Sequence, residues 1–209
     1  MESALASFLV GLLAIANPLG AIPVFLSLCS GKDERVCRKA PRLTALAFFL
    51  ILTTAAFFGD ALLRLFGITL DAFRTSGGLI LLLMAVSMLK AKPSSLKARP
   101  EETAEALNSD SFAVVPLAMP MLAGPGAISL VIVHAHQVDK PVDMLLFLLG
   151  IAVVSILVWL VLRLAQTIGD ALGTTGLNLF TRIMGLLLAA IGTQMMADGL
   201  RALLPGLAA

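Results

Sequence analysis

From Leu5 to Leu28 the chain is an apolar run of the length a membrane span needs, yet its middle reads Ala14-Ile15-Ala16-Asn17-Pro18-Leu19-Gly20-Ala21-Ile22-Pro23. A helix there has to absorb two prolines, a glycine and an asparagine within seven residues. Each proline removes an i→i−4 hydrogen bond, and its ring clashes with the preceding turn. In hydrocarbon an unpaired backbone group costs several kcal/mol, so a break at this depth survives only against protein or a watery cavity. A second break lies in Leu117-Ala118-Met119-Pro120-Met121-Leu122-Ala123-Gly124-Pro125-Gly126-Ala127-Ile128. Two interrupted spans, one in each half of a chain, point to the binding site of a secondary transporter.

The rest of the chain is membrane-like too. Hydrophobic residues make up 59% and charged ones 13%, where a soluble domain carries about a quarter charged. The sequence predicts an all-α, polytopic membrane protein with no separate soluble domain. Only Glu2 precedes the first apolar run, without a basic region or a small-residue cleavage site, so it reads as a retained span. Six spans are expected, roughly Ser3–Cys29, Ala40–Phe66, Asp71–Lys90, Phe112–His136, Pro141–Gln166 and Leu177–Leu203. Each meets or exceeds the about 20 residues that cross a bilayer. Pro41 and Pro141 are read as first-turn prolines. Residues 1–90 form a first three-helix unit, 91–111 a polar cytoplasmic linker and 112–209 a second three-helix unit.

Basic residues set the orientation. The side shared by the first, third and fifth loops holds eleven Lys and Arg and the other side four, which puts both termini in the periplasm of a bacterial inner membrane. Cys29 and Cys37 then face the cytoplasm, where thiols stay reduced, and no disulfide is expected.

The halves resemble each other. Pro18 maps onto Pro125 at a shift of 107 (125 − 18), and the same shift brings Phe73, Gly78, Leu79, Leu81 and Met88 onto Phe180, Gly185, Leu186, Leu188 and Met195. Gly59-Asp60-Ala61-Leu62 recurs as Gly169-Asp170-Ala171-Leu172 at a slightly different shift. Three spans per half is an odd number, so two copies insert with opposite topology. The expected architecture is two inverted three-helix repeats, with spans one and four interrupted near the midplane.

Asn17-Pro18-Leu19-Gly20-Ala21-Ile22-Pro23-Val24-Phe25 resembles the first signature of the MarC family of bacterial integral membrane proteins. The stretch from Val115 to Ile128 resembles its second, and Asp71–Gly78 and Arg182–Leu188 match as well. The likeness runs nearly end to end and is nearest the YchE branch. It implies an inner-membrane transporter, since the family includes small-neutral-amino-acid transporters and is related to LysE-type exporters, but it leaves the substrate open.

Chemistry at the breaks adds to this. Helices restarting near Gly20 and Gly126 present N–H groups and the positive dipole end, which suit a carboxylate. Helices stopping near Ala16 and Met119 present carbonyls, which suit an ammonium group or a coupling cation. Asn17, Pro18, Gly20, Gly124, Pro125 and Gly126 are the expected substrate-binding residues. The competing expectation is a pair of packed proline kinks with Asn17 bonding freed backbone. Arg74, Arg182, Gln194 and Asp60 are weaker candidates for a polar path or coupling. Arg74 and Arg182 are read in the first turns of related spans, where snorkelling to the interface competes with substrate contact. Thr75, Ser76, Thr181 and Thr193 either line that path or bond across helices.

His134 and His136 stand two apart, unlike the i,i+4 pair of a helical metal site, and are placed at the outer interface. No nucleophile elbow, zinc-protease, Walker or dinucleotide motif occurs. The sequence therefore suggests no enzyme, cofactor, metal or nucleic-acid partner. The expected function is gradient-driven transport of a small polar metabolite, an amino acid foremost, coupled to protons or sodium. A membrane assembly or stress factor acting through the linker is the alternative, and a passive channel a third. Oligomeric state stays open.

Overall fold

The computed structural model describes residues 2–30, 32–90, 112–138 and 140–204. The linker assigned to 91–111 lies outside the described residues. The described chain forms α1 Glu2–Ala16, α2 Pro18–Cys29, α3 Glu34–Leu65, α4 Leu70–Leu89, α5 Ala113–Leu122, α6 Pro125–Ala135, α7 Pro141–Arg163 and α8 Ala165–Leu203, with no strand among the described residues.

Leu5–Cys29, α3, α4, α7 and α8 are each long and apolar enough to cross a membrane, and α5 with α6 makes a sixth if that pair, bent by 63°, is counted as one span. Large apolar side chains such as Leu50, Phe57, Phe58, Leu149, Val153 and Ile156 are exposed on α3 and α7, the outward face a bilayer accepts and water does not. Phe8, Leu12, Ile15, Ile22, Leu81 and Met84 fill the centre.

Several boundaries differ from expectation. Asp33 starts α3 by accepting a hydrogen bond from the Arg35 N–H at 2.7 Å. The helix therefore begins before the apolar run, and Pro41 lies inside it rather than in its first turn. Pro141 does take the first-turn position of α7. The stretch expected to join spans five and six is helical. It forms the start of α8 and turns at Gly173, whose φ of 61° and ψ of 179° interrupt the helix. Such a conformation is open essentially to glycine alone.

Helices α4 and α8 make the most extensive packing in the fold. They run antiparallel, with small residues letting the backbones approach. A Cβ built on Gly78 would lie 2.6 Å from the Gly192 carbonyl oxygen and from the Met196 nitrogen. On Gly185 it would lie 3.2 Å from the Ala85 oxygen and 3.3 Å from the Leu89 nitrogen.

The helix breaks and an adjoining polar cleft

The first break occupies a single residue. The Asn17 N–H still donates to the Leu13 carbonyl at 2.9 Å, closing α1. The backbone then turns left-handed, with φ 45° and ψ 62°, a region asparagine tolerates better than most residues. Its side-chain oxygen accepts the Gly20 N–H at 3.3 Å, and Pro18, which has no N–H to satisfy, begins α2. Asn17 is 4% exposed. A Cβ on Gly20 would collide with the Asn17 amide and approach Thr181 Oγ1 at 3.0 Å. Gly20 is thus the residue that lets the cap fold over the helix start.

The second break is built differently. In α5 the Leu117 N–H bonds the Phe112 carbonyl at 3.3 Å and the Ala123 N–H bonds that of Ala118 at 2.8 Å, five residues back rather than four. Pro116 and Pro120 preclude the ordinary ladder, and Val115 and Met119 adopt extended dihedrals. Gly124 precedes α6 with no side-chain cap, and Pro125 again takes the first position. Thr44 on α3 holds the start of α5, donating to the Ala113 carbonyl at 2.8 Å in a fully buried contact.

Both helices restart earlier than expected, at Pro18 and Pro125 rather than near Gly20 and Gly126. The first stops at Ala16 as expected, and in α5 the helical run is interrupted at Met119, whose φ of −132° and ψ of 128° are non-helical, before a last turn to Leu122. The two breaks meet. A Cβ on Gly126 would lie 3.6 Å from Ile15 Cγ2, and 2.6 and 3.0 Å from Leu81 Cδ2 and Met84 Sδ. Asn17, Pro18, Gly124 and Gly126 are buried, Gly20 is half-buried and Pro125 is exposed.

Beside the breaks, toward the C-terminal ends of α6 and α8, an open cleft of about 510 Å³ is lined by Ser7, Arg74, His134, Gln137, Gln194 and Asp198 over a floor that includes Leu130, Ile191 and Met195. Arg74 is 18% exposed, with Asp71 at 3.7 Å. Gln194 donates to Asp198 at 2.9 Å. His134 Nδ1 lies 2.9 Å from the Leu130 carbonyl, and its ring centroid stands 5.1 Å from that of Phe8. Between cleft and breaks, Leu130 and Ile191 close over Gly11, where a Cβ would meet them at 3.4 and 3.5 Å.

The description "MarC family integral membrane protein" matches residues 2–204. The chain belongs to the MarC family. It is 38% identical to the UPF0056 membrane protein YhcE of Escherichia coli K12 over 200 residues, covering 96% of this chain and 93% of that one. Similar membrane proteins occur in Aquifex aeolicus, 37% identical over 93% of this chain and 91% of the relative, and in Methanocaldococcus jannaschii, 36% identical over 90% and 91%. Those names give a membrane location and no substrate. No solved structure matches.

Within this MarC chain the weaker candidates part company. Arg74 and Gln194 share the cleft, while Arg182 is exposed, outside the cleft lining and well inside α8 rather than in its first turn. Asp60 stands at the end of α3, 2.9 Å from Arg64 Nε and 3.1 Å from His136 Nδ1. Thr75, Ser76 and Thr193 donate to carbonyls three or four residues back on their own helices, so these hydroxyls do not bond across helices as one expectation had it. The sequence reading gave Ser7 and Gln137 no role and put His134 at the interface. The missed signal was spacing. Leu130, His134 and Gln137 share one face of α6 and its extension, and Ile191, Gln194 and Asp198 one face of α8.

Proposed function

We propose that this chain is a secondary transporter of a small polar metabolite, an amino acid foremost, working by alternating access in a bacterial inner membrane. In this reading six spans form two inverted three-helix repeats, both termini face the periplasm, and a proton or sodium gradient supplies the energy. Asn17, Gly20, Gly124 and Gly126 line the substrate path where the broken helices converge.

One observation carries the reading. The residues that restart the broken helices, Asn17 and Gly124, are 107 positions apart (124 − 17), each followed by proline, and the breaks adjoin through Ile15 and Gly126. Two further pairs support the repeat. The positive-φ glycines Gly67, just before α4, and Gly173, at the turn inside α8, are 106 apart (173 − 67). Gly78 meets Gly192 and Met196, and Gly185 meets Ala85 and Leu89, so a shift of 107 with exchange of halves maps one set of contacts onto the other. Antiparallel helices related in this way are what an in-plane pseudo-two-fold axis requires, and paired discontinuous helices at such an axis form the substrate site of known inverted-repeat folds.

The test is uptake of labelled amino acids and small metabolites into proteoliposomes under an imposed proton or sodium gradient. Saturable, gradient-dependent uptake is expected, and it should survive a deletion within 91–110. Folded protein giving no uptake above empty vesicles for any compound overturns the reading.

A further inference from the structure

Arg74 does what an interfacial arginine has no reason to do. A guanidinium near the end of a span ordinarily reaches out to headgroups and water. Here it is 18% exposed and lines a cleft formed with α1, α6 and α8. Its ion-pair partner is Asp71, three residues back on the same helix, at 3.7 Å, beyond hydrogen-bonding range. Among the described residues no nearer partner engages it, so most of the five donors of its planar fork are open to a ligand in the cleft.

The other polar groups complement it. Asp198 supplies an anion held in place by Gln194. A carbonyl can only accept, so the contact of His134 Nδ1 with the Leu130 oxygen puts the ring proton on Nδ1 and leaves Nε2 as the acceptor of the neutral ring. Gln137 adds an amide. One cation, one anion, neutral donors and acceptors and an apolar floor of Leu130, Ile191 and Met195 surround a volume of about 510 Å³, within the range of small-molecule sites.

We propose that this cleft is a binding site for small carboxylates, with the carboxylate on Arg74 and a donor group of the same molecule, such as an amine, on Asp198. The fork of an arginine matches a carboxylate through two parallel hydrogen bonds, which a point-charge ammonium does not. A short alkyl group rests on the apolar floor. The site is distinct from the helix breaks, from which Leu130 and Ile191 over Gly11 separate it. It goes beyond the transport reading and does not depend on it, because a receptor needs such a site as much as a carrier does.

The experiment reads occupancy of the cleft rather than transport. Ala190 is an exposed lining residue. In the full chain, with Cys29 and Cys37 replaced by serine, Ala190→Cys is labelled by a maleimide in detergent, with L-alanine, propionate or alaninamide added. Alanine and propionate should slow labelling and alaninamide should not. Adding Arg74→Gln should raise the half-protecting concentration of alanine about ten- to a hundredfold, with Arg74→Lys in between. Asp198→Asn should weaken alanine and spare propionate. If Arg74→Gln fails to fold, the alaninamide comparison and Asp198→Asn decide. Protection by alanine and alaninamide alike, equal protection in folded Arg74→Gln, or no protection by any of the three overturns the proposal.

Discussion

Gly78 and Gly192 exclude a side chain from each other: a Cβ on the first would lie 2.6 Å from the carbonyl oxygen of the second, and one on the second 2.9 Å from that of the first. Backbone atoms cannot swing aside as a rotamer can, so this contact sets how closely α4 and α8 approach. In a membrane, where apolar side chains gain little by leaving lipid, such close packing is a main source of helix association.

Gly78→Ala and Gly192→Ala should each destabilise the fold by about 1–3 kcal/mol, the range for overpacking a tight interface. Gly11→Ala, whose added methyl would stand 3.4 Å from Leu130 Cδ2, should cost far less. Thermal unfolding in one detergent compares the three, and equal melting temperatures for Gly78→Ala and Gly11→Ala would contradict the packing account.

Gly173 tests backbone conformation separately from space. A Cβ there would meet nothing within 4 Å, yet its φ is 61°. Gly173→Ala should cost about 1–3 kcal/mol from conformation alone. Gly169→Ala, on the same helix with an ordinary 3.4 Å contact to Leu26 Cδ1, should be near neutral. Thermal unfolding reads both.

Thr44→Val removes the hydroxyl that holds the Ala113 carbonyl at 2.8 Å and leaves that buried acceptor without this donor. A loss of about 1–3 kcal/mol is expected. Proteolysis or hydrogen exchange should locate the loosening at the start of α5, and a change spread evenly over the fold would speak against a local tie.

Asn17→Ala loses the cap on the Gly20 N–H and places alanine at φ 45°, which should cost about 1–2 kcal/mol. Asn17→Gly should recover most of that, because glycine adopts the left-handed turn freely. Melting temperatures in the order wild type, Asn17→Gly, Asn17→Ala are expected.

The breaks were legible because proline lacks an N–H and asparagine favours the left-handed turn, both local properties. The restart points were placed late, at Gly20 and Gly126, because proline at a helix start costs nothing and so begins the helix itself. Pro41 misled in the opposite sense: the polar residues before it looked like loop, while the Asp33 cap starts α3 there. The stretch 167–176 likewise read as a connection, and it is helix apart from the turn at Gly173. The cleft was hardest to see. Periodicity shows that Gln194 and Asp198 share a face, but which face meets Arg74 and His134 depends on packing between α1, α4, α6 and α8, and no local spacing encodes that.

The central claim is that the converging breaks carry the substrate, and initial-rate uptake in proteoliposomes tests it most directly. Wild type and Asn17→Ala are compared at equal amounts of folded protein, using a transported amino acid as label, at a temperature well below the melting point of either. The account predicts that Asn17→Ala, still folded, loses most uptake through a raised KM, a lowered maximal rate or both. Unchanged KM and maximal rate in folded Asn17→Ala would contradict it and return the breaks to a purely structural role.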